Sequence, residues 1–145
     1  MAVGGFQRII PESLDRPGAA IERVLLCSGK YYFELVEHRE KSKRANVAIV
    51  RVEQLYPLPD ELLQSALAAY RDGTPVFWAQ EEPENMGAWR RMRGRFGYLM
   101  QGNWPFSGIY RTASASPATG SPSSHKAEQR QIVEQAFGPK PGRPA

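Results

Sequence analysis

The chain has 145 residues, 41% of them hydrophobic and 23% charged, and a formal net charge of +4. That length suits one domain able to bury roughly two-thirds of its unfolded surface, and the composition is that of a globular chain, which argues against wholesale disorder. There is no run of eighteen apolar residues to cross a bilayer, and the start, MAVGGFQRIIPE, lacks the charged leader and apolar core of a signal peptide. The single cysteine, Cys27, cannot form an internal disulfide, and the expected setting is the cell interior.

Residues 1–20 read as an arm laid over another surface, with one apolar knot at Phe6, Ile9 and Ile10. Ile21 to Cys27 follows as a buried strand closed by Ser28-Gly29. A helix from Lys30 to about Glu40 carries Tyr32, Leu35 and Val36 on one face. The turn Ser28-Gly29-Lys30 lacks the longer glycine-rich loop of a Walker motif and reads as a plain strand-to-helix turn, although helix N-termini do attract anions. Asn46 to Leu55 is the cleanest strand, stopped by Tyr56-Pro57-Leu58-Pro59. A helix opening at Pro59 or Asp60 presents Leu62, Leu63, Leu67 and Tyr70 at the spacing of one buried face, and Asp72-Gly73 closes it.

Val76 to Gln80 is a third strand, and it runs abruptly into Gln80-Glu81-Glu82-Pro83. Pro83 disfavours helix at Glu82, so two carboxylates and an amide are displayed where a strand ends, with Asn85 in the turn beyond. In open α/β sheets ligands gather at that edge. From Met86 to Met100 a helix keeps Trp89, Met92, Phe96 and Leu99 on one stripe, flanked by Arg90, Arg91, Arg93 and Arg95. Gly94 and Gly97 weaken it. A fourth strand, Gly108 to Ala113, leads into the small-residue loop SASPATGSP. A last helix, Ser124 to Phe137, precedes a Pro- and Gly-rich tail, 138–145, expected to lack fixed structure. The βα alternation predicts a single α/β domain over residues 21–137: an open, mainly parallel sheet of four to five strands with helices on both faces.

Few residues here suit catalysis. The one cysteine, Cys27, lies in an apolar run and reads as a core residue. His38 sits in a charge run and reads as solvated. His125 begins the last helix, either as a polar first-turn residue or as a contact to a partner or anion. Glu81 and Glu82 are adjacent, so from a straight strand they cannot both address one substrate atom. No spacing of Cys, His and carboxylate suggests a metal, and no catalytic residue is assigned. The positive excess is concentrated in Lys41-Ser42-Lys43-Arg44 and in Arg90 to Arg95, where electrostatic partners are to be sought.

Taken in order, LLCSGKYYFEL, VAIVRVEQLYPLP, VFWAQEEPENMGAW, TASASPATGS and HKAEQRQIVEQAF resemble the C-terminal domain of the thiamine-diphosphate-dependent decarboxylase component of 2-oxoglutarate dehydrogenase complexes. GGFQRIIPE resembles the segment entering that domain from the pyrimidine-binding domain before it, so the likeness covers about Gly4 to Phe137. It implies a transketolase C-terminal-type fold and a parent enzyme that passes a succinyl group to a lipoyl carrier. It further implies that thiamine diphosphate and magnesium sit in preceding domains, so that this chain alone holds no cofactor and does not decarboxylate.

The same likeness implies homodimer packing, contact with the lipoyl acyltransferase component, and a bacterial cytoplasmic or mitochondrial-matrix setting. Gln80, Glu81, Glu82, Asn85, Trp89 and His125 would be the motif and interface positions. An acetyl-CoA or AMP effector would meet Ser28, Lys30, Arg44 and Arg111, where guanidinium forks suit phosphates. The Arg90-to-Arg95 run is more basic than the family pattern. Two other readings stay open on residues alone: a standalone CoA- or nucleotide-binding module, and a nucleic-acid-binding module. Against the latter, Trp89 and Phe96 fall on the apolar stripe and not on a stacking platform. No nucleic-acid or membrane partner is expected.

Overall fold

The computed structural model describes residues 8–12, 20–55, 57–111 and 122–138. Each apolar run bounded by Pro, Gly or polar residues becomes a strand. These are β1 (Ile9–Ile10), β2 (Arg23–Cys27), β3 (Val47–Val52), β4 (Val76–Pro83), β5 (Leu99–Met100) and β6 (Trp104–Arg111). They form one six-stranded sheet in the order β1-β3-β2-β4-β6-β5. The inner four are parallel, and the two-residue edges β1 and β5 run antiparallel to their neighbours. The sheet is thus the open, mainly parallel one expected, with two short edges added.

Alternation along the strands feeds two cores. Val24 and Leu26 of β2 join the side covered by α2 (Asp60–Leu67) and α3 (Trp89–Phe96), while Leu25 and Cys27 join the side covered by α1 (Tyr31–Ser42) and α4 (Pro122–Phe137). Burial on both faces is why β2 and β3 are almost wholly apolar. The Cys27 thiol is fully buried, points at the Val50 carbonyl (Sγ···O 3.9 Å), and is pushed up to about 12, chiefly by burial and next by Glu53. The thiolate is the reactive form. We expect Cys27 to resist a neutral-pH disulfide reagent in the folded chain and to react fully in urea; fast reaction under native conditions would contradict its placement.

Several local expectations need correction. The buried line of α1 is Tyr31, Leu35 and Arg39, with Tyr32 and Val36 only partly buried beside it. His38 is half-buried, its ring 4.8 Å from that of Phe137, and burial lowers its pKa, so it is not a freely solvated member of the charge run. Leu62 is exposed, and α2 ends at Leu67, short of Gly73. The helix expected from Met86 spans only Trp89 to Phe96. Gly97, at φ 64°, stops it, and Leu99 lies exposed on β5. The fourth strand begins at Trp104, earlier than expected.

Within the arm, Ile9 and Ile10 pair with Val52 and Arg51, and Ile9 enters the core. Phe6, the 112–121 loop and the tail beyond Gly138 lie outside the described residues.

Candidate functional site

The connection after β2 leads through α1 to β3, whereas the connection after β4 leads through α3 towards β6. β2 and β4 are neighbours, so their carboxyl ends flank the point where the chain's winding reverses, the usual position for a crevice in such sheets. A cavity of about 410 Å³ lies there, and its wall includes Ser28, Lys30, Gln80, Glu81, Glu82 and Arg91. The wall carries charges of both signs.

Gln80 organises one side of it. The residue is 4% exposed, and its Oε1 accepts from Trp78 Nε1 (2.9 Å) and from the Trp89 backbone N–H (3.0 Å). Its Nε2 donates to the carbonyl oxygens of Glu82 (3.1 Å), Pro83 (2.8 Å) and Met86 (2.8 Å). One buried amide thus ties strand, turn and helix start together. It also leaves no room at Gly87, whose φ is +68° and where an added Cβ would lie 2.8 Å from Gln80 Oε1. Gln80→Ala removes five bonds and strands several buried partners, each worth roughly 1–3 kcal/mol when unsatisfied. We expect a loss of about 2–3 kcal/mol in urea denaturation; a wild-type midpoint would show that the turn holds without it.

The two glutamates diverge. β4 continues through both to Pro83, with a register shift after Ala79. Glu81 turns towards α4, where its Oε1 accepts from Gln129 Nε2 (2.8 Å), an amide that also reaches both Glu34 oxygens. Glu82 stays exposed at the cavity, and Asn85 is exposed in the turn. Trp89 is core and His125 is exposed on the first turn of α4.

The four effector positions inferred from the resemblance do not converge. Ser28 and Lys30 line the cavity. Arg44 precedes β3 and so lies at the opposite, amino end of the parallel strands. There it is buried and donates to the Phe137 (2.8 Å) and Gly138 (3.0 Å) carbonyls that end α4. Arg111 donates to the Glu81 carbonyl (3.1 Å), to Glu128 (2.8 Å) and to Gln129 Oε1.

The turn after β2 has an internal anion that sequence reasoning missed: the Gly29 N–H donates to Glu53 Oε2 (3.0 Å). Strand register held the clue, because Cys27 pairs with Arg51, which sets Glu53 beside Gly29 two residues on. Tyr31 and Gln129 were missed as well, whereas Arg91 belongs to the basic run at which electrostatic partners were expected. Among the described residues the Tyr31 hydroxyl is buried without a hydrogen-bond partner, and burial, then Glu34 and Glu81, raise its pKa. No group of three or more His, Cys, Asp or Glu among the described residues is placed to hold a metal. Neither histidine lines this cavity. The chemistry on offer is ion and hydrogen-bond recognition.

Residues 1–137 match the sequence model of the family described as 2-oxoglutarate dehydrogenase C-terminal. The chain is similar to the 2-oxoglutarate dehydrogenase E1 component of Haemophilus influenzae, at 41% identity over 134 residues, 92% of this chain and 14% of that protein. It is 38% identical over 142 residues to the E1 component of Azotobacter vinelandii, and 35% identical over 137 residues to that of Cupriavidus necator. In each case it covers 94% of itself and only 14–15% of the relative's length. A solved structure described as a split gene transketolase, an inactive beta4 tetramer, shares the fold at TM-score 0.51 and 16% identity. That match covers 88% of this chain and 45% of the other.

Proposed function

Since this chain belongs to the 2-oxoglutarate dehydrogenase C-terminal family, we propose that it acts as an assembly domain of a 2-oxoglutarate decarboxylase, shaping and closing the enzyme without performing its chemistry. The observation that carries this reading is the match of the family's sequence model from residue 1 to residue 137. The crevice supports it, because the Gln80 amide and the Glu81 carboxylate are engaged in internal bonds and the described wall presents mixed charge without a nucleophile–base pair.

The donor set of the described residues does not fit thiamine diphosphate with magnesium: no convergent carboxylate or histidine cluster is found among them, and a carboxylate already occupies the Gly29 turn. Cofactor binding on this reading belongs to other domains of the enzyme. Homodimer packing and contact with the lipoyl acyltransferase component are part of the same proposal, as is a cytoplasmic or mitochondrial-matrix setting.

The test is complementation. A relative's E1 component truncated before this region is assayed for ferricyanide-dependent oxidation of 2-oxoglutarate, with and without the purified chain. Activity should appear only in the mixture. Turnover by the chain alone, or failure of the two pieces to associate, would overturn the reading.

A second reading, an acetyl-CoA or AMP effector site, rests on Ser28, Lys30 and Arg91 along the 410 Å³ cavity. Calorimetry decides it: ligand-selective micromolar binding weakened by Lys30→Ala supports it, and silence at millimolar ligand removes it.

A further inference from the structure

The assembly role proposed above makes no use of the arginines of α3, of which the second reading takes only Arg91. That helix, WRRMRGRF, holds four arginines and no acidic residue, and removing them leaves fifteen basic against fifteen acidic residues in the rest of the chain. Two helical turns thus carry as much positive charge as the net charge of the whole chain. Beside them, between α3 and the segment that follows β3, is a second cavity of about 260 Å³. Leu55, Pro57, Leu58 and Met92 line its apolar part, and Arg91 and Arg95 stand on its rim. Leu58 and Met92 are buried at its base, while both arginines are exposed.

An apolar slot rimmed by guanidinium groups recognises one apolar side chain flanked by carboxylates, since arginine forks engage carboxylates in two-point contacts. We propose that this face of α3 docks an acidic polypeptide segment, its apolar residue seated in the 260 Å³ slot and its carboxylates paired with Arg91 and Arg95. Charge complementarity selects the occupant. Arg95 already meets an exposed carboxylate, Asp60, at the protein surface, an ion pair that a partner's carboxylate can replace.

A nucleic acid fits less well. The aromatics of α3 are turned inward, Trp89 being 3% exposed and Phe96 packed against the core. The exposed Tyr98 is capped by Arg93, whose guanidinium carbon lies 3.7 Å from the ring centroid. No open stacking platform remains there. The inference stands apart from the assembly role and does not depend on it.

The test uses the full 145-residue chain and fluorescein-labelled peptides in fluorescence anisotropy at low and moderate salt. One peptide is a run of Glu and Asp with a central Leu, a second has Ser in place of that Leu, and a twelve-nucleotide single strand is the competitor class. The Leu peptide should bind in the micromolar range at low salt. Binding should weaken at least tenfold in Arg91→Glu/Arg95→Glu and several-fold for the Ser peptide, and should be unchanged in Arg130→Glu on α4. Melting curves establish that each variant is folded. Equal binding by the double variant, tighter binding of the oligonucleotide, or no binding of the Leu peptide at millimolar concentration would each overturn the proposal.

Discussion

Trp89→Ala should destabilise this chain by about 3–5 kcal/mol, the range for truncating a large buried aromatic, and lower the melting temperature by roughly 10–15 °C at this chain length. The indole is 3% exposed at the first turn of α3 and lies against Phe106 (5.4 Å between ring centroids) and Tyr110 (5.9 Å). It also presses on the backbone of β6. A Cβ added at Gly108 would come within 2.6–2.7 Å of three indole ring carbons, so the strand needs a glycine at the point where the ring crosses it. Gly108→Ala should therefore cost stability in the wild-type chain and much less once Trp89 is alanine, a coupling that a double-mutant cycle reads directly. An unchanged melting temperature in Trp89→Ala would show that the ring is not part of the core. Additive losses would show that it does not cover Gly108.

Breaking the Glu12–Arg39 pair should have a comparable effect. Both side chains are almost fully buried, at 6% and 7% exposure. Glu12 accepts from two guanidinium nitrogens of Arg39 and from the Ile49 backbone N–H (2.6 Å), while Arg39 also donates to the Val47 carbonyl (2.9 Å). Glu12→Ala leaves a guanidinium in the interior without its carboxylate, for which about 3–5 kcal/mol is expected. It also uncovers an amide on the outer edge of β3, so exchange at Ile49 should quicken. Replacing both partners with apolar residues of similar volume, Glu12→Leu with Arg39→Met, should recover most of the loss, because the desolvation cost disappears with the charges. If Glu12→Ala melts like wild type and Ile49 stays protected, the arm is not held there.

Much of the architecture was legible because its causes are local. Val47 to Val52 is apolar on both faces save for Arg51, Pro57 and Pro59 bar the strand from extending through them, and Leu63 and Leu67 are one helical turn apart. Each of these facts acts within a few residues. The arm was legible only as a dock: Ile9 and Ile10 marked an apolar contact, but Glu12 resembled any solvated acid, since its partner lies on α1, 27 residues on. The start of α3 was misjudged for a similar reason. Nothing in the spacing of PENMGAW shows that the Gln80 amide holds the carbonyls of Pro83 and Met86 in a turn and delays the helix to Trp89. Arg44 illustrates the limit most clearly. Read beside Ser28 and Lys30 as a phosphate ligand, it instead caps α4, whose last carbonyls are more than ninety residues away in sequence.

By itself, then, the sequence determined the succession of the four inner strands and the four helices, the two-sided burial of the central sheet, the family of the domain and the basic runs at Lys41 to Arg44 and on α3. All of these follow from periodicity, composition and motif order, which act over short ranges or need no geometry. Only the tertiary structure decided which polar residues face a cavity and which are consumed inside. Gln80 and Arg44 went to the interior and Lys30 and Arg91 to the wall. That sorting depends on where carbonyls and carboxylates from distant segments arrive once the strands are in register, since buried polar groups must find partners.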